Sequence, residues 1–436
     1  GGFTKVKQLV TGRLHYYDPA DQIVLLAEIA GDPSPSDLAG AIQRAVRKHA
    51  VSCYGIGIDP NGDSHFLPVP QNDVPVTIAD AECDLEALLN EQHKIPFDAA
   101  RGEFFRFFIY RRRQKAQLAV VANHLAGDGL SIVFLLRDVM TALENPEVVY
   151  ETQPLRLMED FGYPADSEPS LLSKFALHRI NKHWNSSKRI FTHDEYLEMF
   201  HSYWSGRHLA LRKAEISGAD LQSLIRRCKQ AKVTVNSALA AAFLCALRTD
   251  DVGMAVSVRP EGYEGLANFA SGISVPYQWN ESKTFWSNTR AIHNRIYQRL
   301  DDPRRKYYVL QSLRRVEPTL IDAMYFTLYA GFQNKIARTM LDLSKYSEKH
   351  RHTLSLTNLA RPKIPAAYGK YSLSSVAFVP PLIATSRMML GVVTVNDRMT
   401  ITMQYASTDR SKDYDAAFEQ AVVLLRTTES DETEDL

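Results

Sequence analysis

A buried-strand pattern over residues 116–122 runs without a linker into Asn123-His124-Leu125-Ala126-Gly127-Asp128-Gly129, and a helix-length run over 130–143 follows at once. The first run has the length and valine content of a strand, and the second is long enough for a helix. A histidine and an aspartate four residues apart, with glycines around them, therefore fall on a strand-to-helix turn. Turns of this kind display side chains and backbone N–H groups at a strand end, where chemistry is commonly placed.

The rest of the chain repeats this rhythm of strand and helix. Residues 22–30 read as a core strand, and Ser34-Pro35-Ser36-Asp37 has the form of a helix start, with a Ser cap and Pro at the first helical position. The segments 52–58 and 64–69 flank a turn at Asp59-Pro60-Asn61-Gly62-Asp63 and predict a hairpin. Residues 84–93 predict a helix, and 103–112 and 117–122 predict paired strands. The segment 145–205 loses the rhythm and reads as a crossover with helical pieces near 171–183. From residue 208 strands and helices resume: strands over 208–216, 252–258, 271–278, 353–358, 371–378, 388–395 and 399–405, and helices over 219–231, 237–247, 284–300, 320–343 and 412–425. The expected architecture is α+β, two lobes of similar build, each a mostly antiparallel sheet with helices. The expected division is 1–164 for the lobe that carries the turn and 165–436 for the crossover and second lobe. Residues 429–436 read as an acidic tail, frayed and without a site.

Composition narrows the function classes. With 51 Lys+Arg against 50 Asp+Glu the net charge is +1, so nothing calls for nucleic acid or an anionic surface as partner. The run Arg111-Arg112-Arg113-Gln114-Lys115 fits a solvated hairpin turn. The four cysteines, Cys53, Cys83, Cys228 and Cys245, form no CxxC pair and suit reduced thiols in a cytoplasmic protein. No stretch reaches the length of a membrane span, and no signal-peptide pattern opens the sequence.

A histidine is the side chain best suited to take a proton near neutral pH. The chain has no G-x-S-x-G nucleophile elbow, so His124 would activate a nucleophile on the substrate. Asp128 could orient His124 or pair elsewhere to fix the turn. Gly127 and Gly129 would permit positive φ or close approach by a ligand, and the Gly129 N–H at a helix start could face an oxyanion. No third or fourth ligand stands at useful spacing for a metal. H-x-x-x-D by itself also occurs without function, so the residues alone leave both catalysis and a structural pair open.

His124-Leu125-Ala126-Gly127-Asp128-Gly129 resembles the H-x-x-x-D-G motif of the CoA-dependent acyltransferase superfamily, which includes chloramphenicol acetyltransferase, peptide-synthetase condensation domains, plant BAHD acyltransferases, alcohol acetyltransferases and the polyketide-associated acyltransferases of mycobacteria. Further segments agree in order. Val233-Thr234-Val235-Asn236-Ser237-Ala238-Leu239 resembles the start of the second lobe's alanine-rich helix. Val256-Ser257-Val258-Arg259-Pro260 resembles a strand ending in Arg-Pro, and Asn268-Phe269-Ala270-Ser271-Gly272 the Asn-Phe segment after it. Leu356-Thr357-Asn358-Leu359 is similar to a Ser-Asn-x-Gly stretch, with Thr357 for Ser and Ala360 for Gly. The layout is nearest to the alcohol acetyltransferases and the mycobacterial group.

The resemblance implies a tunnel between two lobes and an acyl group carried as a thioester on CoA or on a carrier protein's phosphopantetheine arm, with no tightly bound cofactor. It implies His124 as general base on a small hydroxyl or amine acceptor, Asp128 as a structural residue paired with Arg259, and Asn123, Thr357 and Asn358 near the cleft. Condensation domains usually have a second histidine where this chain has Asn123, which favours a free-standing acyltransferase of secondary metabolism. The alternatives are a stand-alone condensation-type enzyme with carrier-bound substrates and a non-catalytic relative that docks carrier proteins. Asp160-Phe161-Gly162-Tyr163-Pro164 is similar to a C-terminal BAHD motif but stands too early and lacks its final glycine.

Overall fold

The computed structural model describes residues 7–346 and 351–431. Its strands, in chain order, are β1 Gln22–Ala30, β2 Tyr54–Ile58, β3 Ser64–Pro68, β4 Val76–Ala79, β5 Phe105–Arg112, β6 Lys115–Asn123, β7 Leu209–Ser217, β8 Asp251–Ser257, β9 Ala270–Pro276, β10 His352–Asn358, β11 Ala367–Tyr368, β12 Tyr371–Val379, β13 Ser386–Val395 and β14 Arg398–Ala406. They form two six-stranded sheets, β11-β12-β1-β6-β5-β4 and β7-β14-β13-β10-β8-β9, and the hairpin β2-β3.

The first sheet is antiparallel except where β4 runs parallel to β5 at its edge. In the second sheet β10 lies parallel to both β8 and β13, so that sheet is more mixed than the expected mostly antiparallel one. The cause is connectivity. The chain reaches β10 from β9 through helices between residues 285 and 343, and leaves it for the other sheet before returning as β13; long crossovers allow parallel pairing. The strands β11 and β12 come from the last quarter of the chain yet complete the first sheet against β1. Strand alternation does not reveal which sheet a strand will join.

β1 and β6 sit at the centre of the first sheet, in register from Gln22↔Asn123 to Ala30↔Lys115. One face is covered by the helices Pro35–Arg47 and Gly129–Glu144, which bury Leu38, Ile42, Ile132, Leu136 and Val139 against Leu25, Ile109 and Val120. The Ser34 side chain caps the first of these, accepting from Asp37 N–H at 3.0 Å. His49, just past that helix, is buried and bonded to Asp138 at 2.8 Å, a satisfied core histidine. In the second lobe Val235–Leu247 is buried all round, as its alanine-rich, uniformly apolar sequence demands.

Three expectations change. Residues 320–343 are two helices, Pro318–Tyr329 and Lys335–Leu343, broken at Gly331 with φ +69°. The crossover contains a second substantial helix, His193–Trp204, opened by a Thr192–Glu195 capping box. The tail is docked as far as Asp431, which accepts from Arg290 and Thr284; residues 432–436 lie outside the described part. Among the described residues no single helix is long and apolar enough to cross a membrane.

The sheets meet where β12 ends over β13. A Cβ added to Gly391 would stand 2.2 Å from Phe378 O and 2.5 Å from Pro380 Cδ. Backbone does not yield as a side chain does, so Gly391→Ala is expected to lower unfolding free energy by about 1–3 kcal/mol. Chemical denaturation checks this, and an unchanged midpoint would show that the junction is looser than described.

Candidate active site

β6 ends at Asn123, which is held in the sheet by its N–H to Phe104 O at 2.8 Å. The Asn123 side chain then accepts from Leu125 N–H at 3.0 Å and so starts the single 3-10 turn His124–Ala126. His124 N–H donates to Asp21 O at 3.1 Å, across from β6. The backbone next extends through Gly127, and Asp128 caps the helix Gly129–Glu144 by accepting from Ser131 N–H at 3.0 Å.

The positive φ expected of the two glycines is absent. Gly127 is extended and Gly129 is helical, neither at a left-handed φ. A Cβ on Gly127 would meet the Ser131 side chain at 2.6 Å, and one on Gly129 would meet Phe378 at 2.8 Å. Both are small because protein, not ligand, packs against them.

Asp128 points away from His124 into a buried lock. Its Oδ1 accepts from Arg259 Nη2 at 2.8 Å and from Ser131 Oγ at 2.9 Å, and its Oδ2 accepts from Phe269 N–H at 2.9 Å. Arg259 also donates to Gly265 O at 2.7 Å and to Ser131 Oγ at 2.7 Å, and its guanidinium lies 4.7 Å from the centre of the Phe269 ring. Both charged side chains are about nine-tenths buried. Burial alone would raise the Asp128 carboxyl; Arg259 and the donors of Phe269 and Ser131 outweigh it and hold the group below the usual carboxylate range. The lock ties the loop between β8 and β9, in the second lobe, to the turn of the first. Asn268 in that loop donates to His124 O at 2.8 Å. Phe161 of the crossover packs edge-on against Phe269, 5.6 Å between centroids, so the Asp160-Phe161-Gly162 segment supports this loop.

His124 has a neighbour that the sequence did not suggest. The ring of His15 stacks on it, 3.8 Å between centroids and 9° from parallel. His15 Nδ1 lies 2.5 Å from Asp21 Oδ2, in hydrogen-bond contact. Burial pushes His15 down to about 4 and Asp21 up to about 7. His124 is held below the ordinary imidazole value by burial and by His15, with Asp21 pulling the other way. Both imidazoles are therefore neutral at pH 7.

One atom each from His15, Asp21 and His124 lies within 4.8 Å of the others, a possible metal-ligand set that the sequence spacing had not shown. The ring geometry argues against it. Metal-binding lone pairs lie in the ring planes, and two parallel rings this far apart cannot both aim at one ion about 2.0–2.1 Å from each nitrogen.

A cavity of about 340 Å³ opens beside the pair, within the size range of small-molecule sites. Asn123, His15 and Asp21 line it, together with the 16–22 loop, the β2 end and crossover residues 190–200. His124 itself is not in the wall; its ring stacks on that of His15, which is. Thr357 and Asn358 do not line this cavity. They lie on β10, where the Thr357 hydroxyl approaches Met389 Sδ and Asn358 donates to Asn236 Oδ1 at 3.2 Å. His15 ends the 3-10 turn Thr11–His15, Asp18 and Asp21 follow it before β1, and no periodicity or local signal marks them.

No protein-family model matches the chain, and no curated protein matches its sequence. Solved structures do match its fold. Polyketide synthase associated protein 5 from Mycobacterium tuberculosis aligns with a TM-score of 0.63 at 11% identity, over 97% of this chain and 98% of that one. TRI3 trichothecene 15-O-acetyltransferase from Fusarium sporotrichioides aligns with 0.63 at 11%, over 97% and 95%. The first condensation domain of the CDA synthetase aligns with 0.61 at 12%, over 97% and 96%. The chain therefore has the two-lobed α+β fold shared by acyltransferases and condensation domains.

Proposed function

We propose that this two-lobed chain is an acyltransferase that moves an acyl group from a CoA or carrier-protein thioester to a small hydroxyl or amine acceptor. The observation that carries the reading is the lock: Asp128 is fully committed to Arg259, Ser131 and Phe269, which leaves a neutral, half-buried His124 at a strand end next to a cavity. That arrangement suits a general base and not an Asp-His relay. Neighbours of the same fold include an acetyltransferase and proteins of polyketide and peptide assembly, which supports a role in secondary metabolism.

In the proposed step an acceptor that extends past His15 gives the proton of its hydroxyl or amine to His124 as its oxygen or nitrogen bonds to the thioester carbon. The C–S bond then breaks, and the imidazolium returns the proton to the leaving thiolate. The Gly129 N–H, at the start of the helix, is the candidate donor to the intermediate's oxyanion.

The test is thiol release from acyl-CoA in the presence of a mixed acceptor pool. Release only from acyl-carrier protein would favour the condensation-type reading, and release from neither would favour a docking relative. The pH profile gives a second check. A base held below the ordinary histidine value of about 6.5 stays neutral in mild acid, so the acid limb of kcat/KM is expected below pH 6.5. A limb at or above that value would contradict a buried neutral base.

A further inference from the structure

In the wall of the cavity beside the stacked imidazoles the carboxyl groups outnumber the titratable nitrogen groups, which are His15 and His193. Asp18, Asp21 and Gln22 face it, each 5–6% exposed, and Asp59 stands at its rim side. Among the described residues no Lys or Arg lines it. Arg13, in the 3-10 turn Thr11–His15, is bound to Asp322 by two hydrogen bonds, at 2.9 and 2.6 Å, and does not line the cavity, although its Nη1 has no partner.

Two buried acceptors in this wall lack a partner: Asp21 Oδ1 and Gln22 Oε1. The Gln22 amide is oriented by its own NH₂, which donates to Ile95 O at 3.2 Å, so oxygen is the end left free. Asp18 Oδ1 takes one bond, from Ala20 N–H at 2.9 Å. Buried acceptors without donors cost free energy that a ligand carrying donors recovers. The remaining wall is largely aromatic, with Tyr16, Tyr17, Phe97, Phe191, Tyr196 and Phe200, and aromatic faces attract cations.

We propose that this cavity is the acceptor site and that the acceptor carries an ammonium group, held by Asp18, Asp21 and the Gln22 oxygen, on a compact apolar body. The ammonium is an anchor; a separate hydroxyl or amine on the same molecule is the group acylated. This rests on the acyl-transfer reading and names its substrate class. Burial, and for Asp18 the nearby Asp21, push both carboxyls up, and a bound cation offsets that cost.

Calorimetric titration of the full chain, without thioester, tests it. The probes are phenylalaninol, 3-phenylpropane-1,2-diol and 3-phenylpropionate, which place an ammonium, a hydroxyl and a carboxylate on similar bodies. Phenylalaninol is expected to bind at least tenfold more tightly than the diol, and the carboxylate not to bind. Asp18→Asn is expected to erase the preference while raising the thermal midpoint, because an amide replaces a carboxyl that burial disfavours. A merely structural Asp18 would not separate those two effects. Equal binding of diol and amine, preferred binding of the carboxylate, no binding of phenylalaninol, or an unchanged preference in the variant would each overturn the proposal. Failure of the acyl-transfer reading is distinguishable, since it shows as absent thiol release whatever binds.

Discussion

Arg259→Ala is expected to cost about 3–5 kcal/mol of stability, the range found when one partner of a buried pair is removed. The arginine makes hydrogen bonds to Asp128, Ser131, Tyr263 and Gly265. Its loss leaves the Asp128 carboxylate buried with hydrogen bonds but no countercharge. Asp128→Ala is expected to cost as much, for the converse reason. Because the pair joins the β8–β9 loop to the helix after His124, both variants should loosen that loop as well as lower the denaturation midpoint. Arg259→Lys does not rescue, since an ammonium cannot spread donors over the same set of acceptors. The pH dependence has a definite sign. The folded-state value of Asp128 lies below its unfolded one, so its contribution is present above about pH 3.9 and is lost as pH falls through the folded value. Loss of less than 1 kcal/mol in both alanine variants would mean that the lock is not what holds the turn.

His124→Ala is expected to remain folded and to lose acyl transfer. The side chain caps nothing, its Nδ1 has no partner in another residue, and the turn is built by Asn123, Asp128 and the backbone. Removing it should change the midpoint by less than removing Arg259 does. General base catalysis contributes typically 10²–10⁴-fold, so turnover is expected to fall by about that factor. His15→Ala supplies the comparison. His15 faces the cavity and lowers the value of His124, so its removal should shift the acid limb toward higher pH and leave more turnover than His124→Ala. A larger loss in the His15 variant would move the base to the other ring.

Much of this site was legible in the residues because its first half is local. A strand, a turn and a helix are contiguous, and their periodicities and the Asn123 and Asp128 caps are set within a few residues. Arg259 was reached through the order of segments resembling an acyltransferase family, and the structure places it on Asp128. The same reading missed the His15–Asp21 pair. Those residues lie on a turn without period, and they meet His124 only because β1 and β6 are paired in register. The positive φ expected at Gly127 and Gly129 is absent for a similar reason, since the atoms that exclude a side chain there belong to Ser131 and to Phe378 on a distant strand. The membership of β12 in the first sheet and the parallel pairing of β10 were equally hidden, because alternation in sequence carries neither partner nor direction.

The most direct measurement is free-thiol release from a mixed acyl-CoA and acyl-carrier-protein pool by the wild-type chain, with His124→Ala alongside at matched folded concentration. The account predicts acceptor-dependent release by the wild type and a rate lower by about 10²–10⁴-fold for the variant. Wild-type-like release by His124→Ala, or no release by either protein with any donor, would contradict it.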